Sequence, residues 1–148
     1  MKKTLTLLLA SATLFGCQSI ESNETQSTQQ SEYSQSVSLK SALWFNKMPT
    51  IGDTPEFNLH GSLALQHKGG FPAEMEVTHV ELHQVGEKYL ISENQFELRN
   101  HNEAQWEVAF ALPIQLEEQK PVDVLVYFVD GSKQNYVTEQ GVMVEVVY

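Results

Sequence analysis

Cysteine is almost missing from this chain of 148 residues, with Cys17 its single example. One thiol closes no internal disulfide framework and makes no thiolate zinc site. Basic residues are scarce too, 9 Lys+Arg against 19 Asp+Glu, for a formal net charge of −10. Clustered cations that would displace counterions from a phosphate backbone are therefore lacking, which argues against nucleic acid as a partner. No apolar run reaches the roughly 18 residues of an ordinary membrane span. What is present is globular in kind: a hydrophobic fraction of 41% and an aromatic fraction of 9% exclude wholesale disorder. The length suits one compact domain with appendages.

The N-terminus carries the strongest signal. Met1-Lys2-Lys3 is a short basic start, and Leu5 to Phe15 follows as an apolar stretch interrupted by Thr6, Ser11 and Thr13. Its length is that of a secretory h-region rather than of a permanent span. It closes on Leu14-Phe15-Gly16-Cys17, which resembles the lipobox of bacterial lipoproteins. Leu14 and Gly16 match that family's pattern, while Phe15 is bulkier than its usual residue. The resemblance implies a signal peptide over 1–16 that is cleaved, and a Cys17 that becomes the first residue and carries diacylglyceryl and N-acyl (palmitate) groups. It also implies sorting to the outer membrane of a Gram-negative envelope, because Gln18 and not Asp follows the cysteine. Each buried methylene contributes about 0.8 kcal/mol, so one chain holds a protein reversibly while several make a lasting anchor.

Residues 17–36 are expected to form the lipidated cysteine and a tether. From Gln18 to Ser36, six of the nineteen residues are Ser and five are Gln, too little apolar surface to offset the entropy of ordering. As a flexible coil such a segment spans about 22–26 Å, which lifts a domain clear of the headgroups without crossing the periplasm. Loss of Lys2 and Lys3 with the signal peptide leaves 7 basic against 19 acidic residues, a mature charge of −12. So acidic a body does not itself adhere to an anionic bilayer, and the attachment falls to the lipid.

From 37 to 148 the dominant period is two, the mark of half-buried antiparallel strands. Val37, Leu39, Leu43 and Phe45 share one parity, as do Phe57, Leu59, Gly61, Leu63 and Leu65, and again Trp106, Val108, Phe110 and Leu112. Val122 to Val129 is apolar on both parities apart from Asp123, which predicts a central strand covered on both faces. Asp130-Gly131 predicts a hairpin, with one strand returning from Asn135 to Tyr148, and Val85-Gly86-Glu87-Lys88 predicts another. About eight strands result, with shorter ones at Tyr89–Ser92 and Phe96–Arg99. This pattern predicts an all-β fold, an immunoglobulin- or fibronectin-like antiparallel β-sandwich, without the antibody disulfide. Residues 72–86 read either as a strand with a bulge between Val77 and Val80 or as a helix between Pro72 and Gly86. The expected core includes Leu63, Leu65, Val108, Phe110, Val124, Val126 and Phe128.

Candidate chemistry is sparse. His79, Glu81 and His83 would share one face of a strand and are the only metal-ligating candidates, yet the two histidines would stand about 13 Å apart, beyond the reach of one ion. In a helix the two histidines would have the interval of the zinc-protease motif, but the order is wrong, because that motif needs Glu directly after the first His and here Val80 stands there. His60, His67 and His101 read as surface histidines. The glycines of Lys68-Gly69-Gly70-Phe71-Pro72 belong to a turn, since no Lys-Ser/Thr follows to make a phosphate loop. No nucleophile elbow occurs. The sequence thus predicts a non-enzymatic protein without a cofactor. Trp44, on the parity opposite to its apolar neighbours, points outward, and Met143, Glu145 and Val147 share the outer face of the last strand. These four are the candidate contacts for an envelope protein partner. The alternative is a small-ligand or metal-binding envelope protein using His60, His79, Glu81 or His83.

Overall fold

The structure, a computed structural model, describes residues 36–48 and 58–148. Cys17, the lipobox, nearly all of the proposed tether and Phe57 lie outside the described residues. Nine strands follow one another: β1 (Val37–Asn46), β2 (Leu59–His67), β3 (Met75–Gln84), β4 (Glu87–Ser92), β5 (Glu97–Asn102), β6 (Gln105–Leu112), β7 (Val122–Asp130), β8 (Lys133–Val142) and β9 (Val144–Val147). A short 3-10 turn, Glu93–Gln95, joins β4 to β5.

The strands make two sheets, one in the order β5-β6-β2-β1-β9 and the other β4-β3-β7-β8. They pack face to face as a β-sandwich. Each strand turns alternate residues to the layer between the sheets, so the apolar parity of the sequence becomes the core. In β2 the residues Leu59, Gly61, Leu63 and Leu65 are all buried, while His60, Ser62 and Ala64 are half-buried on the other face. All seven expected core residues are buried, and Val108, Val124, Val126 and Phe128 have no exposed surface.

Residues 75–84 are a strand, not a helix, and its pairing with β7 shifts register between Val77 and His79. The bulge lies where the apolar phase changes. The β3–β4 hairpin turns on Val85 and Gly86, both with positive φ (52° and 81°). That is the backbone of a type I′ turn, which matches the twist of the strands it joins. Gly86 adopts it freely; Val85, β-branched, does so under strain.

Three expectations need correction. The single strand from Asn135 to Tyr148 is two, β8 in one sheet and β9 in the other. The chain turns at Gly141, φ +73°, whose N–H is held by the Asp123 carboxylate at 3.0 Å. The second correction follows from the first: β9 runs parallel to β1, with Val144 beside Leu43 and Val147 beside Asn46, so the sandwich is not wholly antiparallel. Tyr148, though in phase with Val142, Val144 and Val146, is 82% exposed because β9 has already ended. Lastly, β7 is buried on one face only. Leu125, Tyr127 and Val129 on its outer face are half-buried, sheltered by neighbouring side chains rather than by a third layer.

Candidate functional site

The sheet registers place the turns at two ends. At the end where the chain enters β1 lie the β2–β3 connection, the β5–β6 turn and the β7–β8 hairpin. His67 helps to close this end: its Nδ1 accepts the Gly69 N–H at 3.0 Å and its Nε2 bonds Ser36 Oγ at 2.9 Å. The opposite end gathers the Val85-Gly86 hairpin, the β6–β7 connection and the finish of β9. The buried Gln84 amide pins that connection, donating to the carbonyls of Glu117 and Lys120 and accepting the Glu117 N–H.

The candidate partner-binding residues sit around β9. Met143, at the crossing between sheets, is 51% exposed. Glu145 is exposed and Val147 half-buried. The Lys47 N–H donates to the Val147 carbonyl at 2.8 Å, so the backbone groups of Glu145 and Val147 face β1. Strand alternation turns those of Val144 and Val146 the other way, and among the described residues no strand lies beyond β9. The part of the β1 edge that β9 leaves uncovered is closed differently, by the Glu139 carboxylate accepting the Ser41 N–H. Trp44 is half-buried on the outer face of β1, as its parity predicted, and its ring stacks on His60 at 5.4 Å between centroids.

His79, Glu81 and His83 come together more closely than strand spacing alone predicted. Glu81 is only 5% exposed although it lies on the outer face of its sheet. His83 Nε2 donates to its carboxylate at 2.9 Å, Lys88 Nζ reaches it at 2.6 Å, and His79 Nε2 stands 3.8 Å away. The Tyr127 hydroxyl donates to it at 3.4 Å, and the Tyr127 ring stacks on His79 at 4.3 Å. Burial pushes the Glu81 carboxyl up, but the hydrogen bonds and charges of Lys88 and His83 outweigh burial and hold it below its ordinary value. Burial and the neighbouring Glu81 carboxylate push the Tyr127 hydroxyl up. The ammonium of Lys88 already occupies the cation's place at this carboxylate, and among the described residues no group of three or more His, Cys, Asp or Glu is set to hold a metal ion. Lys88 and Tyr127 were not read as members of this cluster from the sequence. Lys88 had a signal, because the Val85-Gly86 hairpin sets it opposite His83; Tyr127 comes from β7, a pairing that only the fold reveals.

His101 donates to Glu107 at 2.9 Å, and His60 is occupied by Trp44. His60, His67 and His101 are thus tied to separate neighbours, while His79 and His83 converge on Glu81. Among the described residues no helix is long and apolar enough to cross a membrane. Compared with protein-family models, with curated proteins and with solved structures, the chain shows no match.

Proposed function

We propose that this protein is a lipoprotein of the outer membrane, anchored through acyl groups on Cys17 and facing the periplasm, whose β-sandwich is a non-catalytic accessory module that binds another envelope protein. The lipobox-like Leu14-Phe15-Gly16-Cys17 supports the anchor. The observation that carries the binding role is the β9 edge, with the backbone groups of Val144 and Val146 turned outward beside exposed Met143 and a single charged guard, Glu145. Such an edge offers a partner strand its hydrogen bonds, and apolar flanks add area. Val85 supports a contact role for the end away from the chain entry: an exposed, β-branched residue stands at a turn position where Gly or Asn is less strained.

We also read the sandwich as immunoglobulin-like. The order β5-β6-β2-β1 against β4-β3-β7-β8 follows the immunoglobulin pairing of strands, with a fourth strand beside the third. The test of the binding role is site-specific photo-crosslinking in intact cells, from position 145 on β9 and from position 132 on the far β7–β8 hairpin. One discrete adduct from 145 and none from 132 is the expected result. No adduct from 145, or the same adducts from both positions, would overturn the assignment of β9 as the docking edge.

A further inference from the structure

The outer face of the β1 sheet has an unusual lack of bulk. Strand register sets three rows across it: Trp44, His60 and Ala111; Ala42, Ser62, Ala109 and Glu97; Lys40, Ala64, Glu107 and Arg99. Alanine is depleted in strands, where it packs little against its cross-strand neighbours. Four alanines and a serine therefore leave this face low, and three of them, Ser62, Ala109 and Ala111, floor a cleft with taller side chains around it.

One wall is the Trp44–His60 stack, with its rings inclined by only 12°. A second is polar and fixed in place. Glu107 accepts hydrogen bonds from Ser62 Oγ at 2.5 Å and His101 Nε2 at 2.9 Å, while Arg99 donates to Glu97 at 3.0 Å and lies 3.9 Å from Glu107. The third wall is the 3-10 turn and the residue after it, Asn94, Gln95 and Phe96. Together they bound an open cleft of about 460 Å3, within the range that holds small ligands.

The charges select among ligands. Two carboxylates face one guanidinium, in a chain of net charge −10, so an anion is disfavoured. The carboxylates are already engaged by Arg99, His101 and Ser62, which leaves no bare negative site for a cation. A neutral ligand with a C–H face for the aromatic wall and a rim of hydroxyls, each both donor and acceptor, matches what remains. We propose that this cleft binds a neutral saccharide, its ring face on the Trp44–His60 stack and its hydroxyls toward Glu107, Glu97 and Arg99.

The proposal goes beyond the anchoring and protein-binding reading. Trp44 stands beside Glu145 in register, but the cleft uses the face of the sheet and β9 offers its backbone edge, so a failed crosslink at position 145 leaves the proposal standing. The test is isothermal titration of the full-length protein, purified in detergent, with three probes: the tetrasaccharides of β-1,4-linked N-acetylglucosamine, β-1,4-linked glucose and α-1,4-linked glucose. Saturable binding of at least one is expected. Trp44→Ala and the floor-filling Ala109→Gln should each weaken it by about tenfold or more, while Leu90→Ala on the outer face of the other sheet leaves it unchanged. Since Trp44→Ala removes a half-buried ring, Ala109→Gln decides, with far-UV circular dichroism confirming that it folds. Absence of saturable binding by all three probes, or a folded Ala109→Gln protein that binds as wild type does, would overturn the proposal.

Discussion

Gly61 offers a sharp test of how the sheets are packed. It sits on the inward parity of β2, opposite Phe110 of β6, and the Phe110 ring lies over it. A Cβ added at Gly61 would stand 2.1, 2.3 and 2.7 Å from three carbons of that ring. Real contacts of this kind rarely fall below about 3.4 Å, so in Gly61→Ala the ring must leave its seat. Overpacking of a well-filled core costs about 1–3 kcal/mol. Against that, replacing glycine in an extended segment restrains the unfolded chain and returns about 0.4–1 kcal/mol. Gly61→Ala should therefore destabilise by about 1–2 kcal/mol. Phe110→Ala alone should cost about 3–5 kcal/mol, a large part of the total for a domain of this kind. In the double variant the clash has gone, and adding the methyl to Phe110→Ala should be neutral or mildly stabilising. Urea denaturation followed by Trp fluorescence measures all four proteins and yields the coupling, expected at about 1–3 kcal/mol. A neutral Gly61→Ala with no coupling to Phe110 would refute the packing described here.

Three further outcomes follow from the hairpin, the buried carboxylate and the pinned loop. Val85→Asn keeps the turn but removes a β-branched side chain from positive φ, and calorimetry should find it more stable by about 0.5–1 kcal/mol. Glu81 is held below its ordinary value of 4.5 in the folded protein, so its contribution is complete above that value and is lost as pH falls through the lower folded value. Denaturant midpoints for wild type should accordingly drop more steeply than those of Glu81→Gln below about pH 4.5, and parallel curves would contradict the cluster. Gln84→Ala deletes three hydrogen bonds to the β6–β7 connection. At about 0.5–1.5 kcal/mol each it should cost about 2–4 kcal/mol, with faster hydrogen exchange in residues 115–121.

Much of the fold could be read from side-chain parity because burial between two sheets imposes it. Leu59, Leu63 and Leu65 declare β2, and the phase change after Val77 declares the bulge. The break between β8 and β9 was hidden by the same rule: Val142, Val144 and Val146 keep one phase across a crossing from one sheet to the other. The readable sign was Gly141, since glycine inside a strand pattern often marks a bend. The doubly apolar run of β7 misled for another reason. An outer face can be half-covered by cross-strand rings such as His79 and Tyr136, and needs no further layer. Site residues within one strand, His79, Glu81 and His83, were visible by spacing, whereas the charges and rings that fix their state arrive from β4 and β7. Long-range register is not a local property of sequence. Trp44 combines both cases, its outward direction set by parity and its His60 partner by pairing.

Anchoring through Cys17 is the central claim, and intact-protein mass spectrometry of the membrane fraction tests it most directly. The account predicts a mature N-terminus at Cys17 carrying diacylglyceryl and N-acyl groups, and a Cys17→Ala protein that leaves the membrane or stays uncleaved. Wild-type protein with an unmodified Cys17, or cleaved at another position, would contradict it.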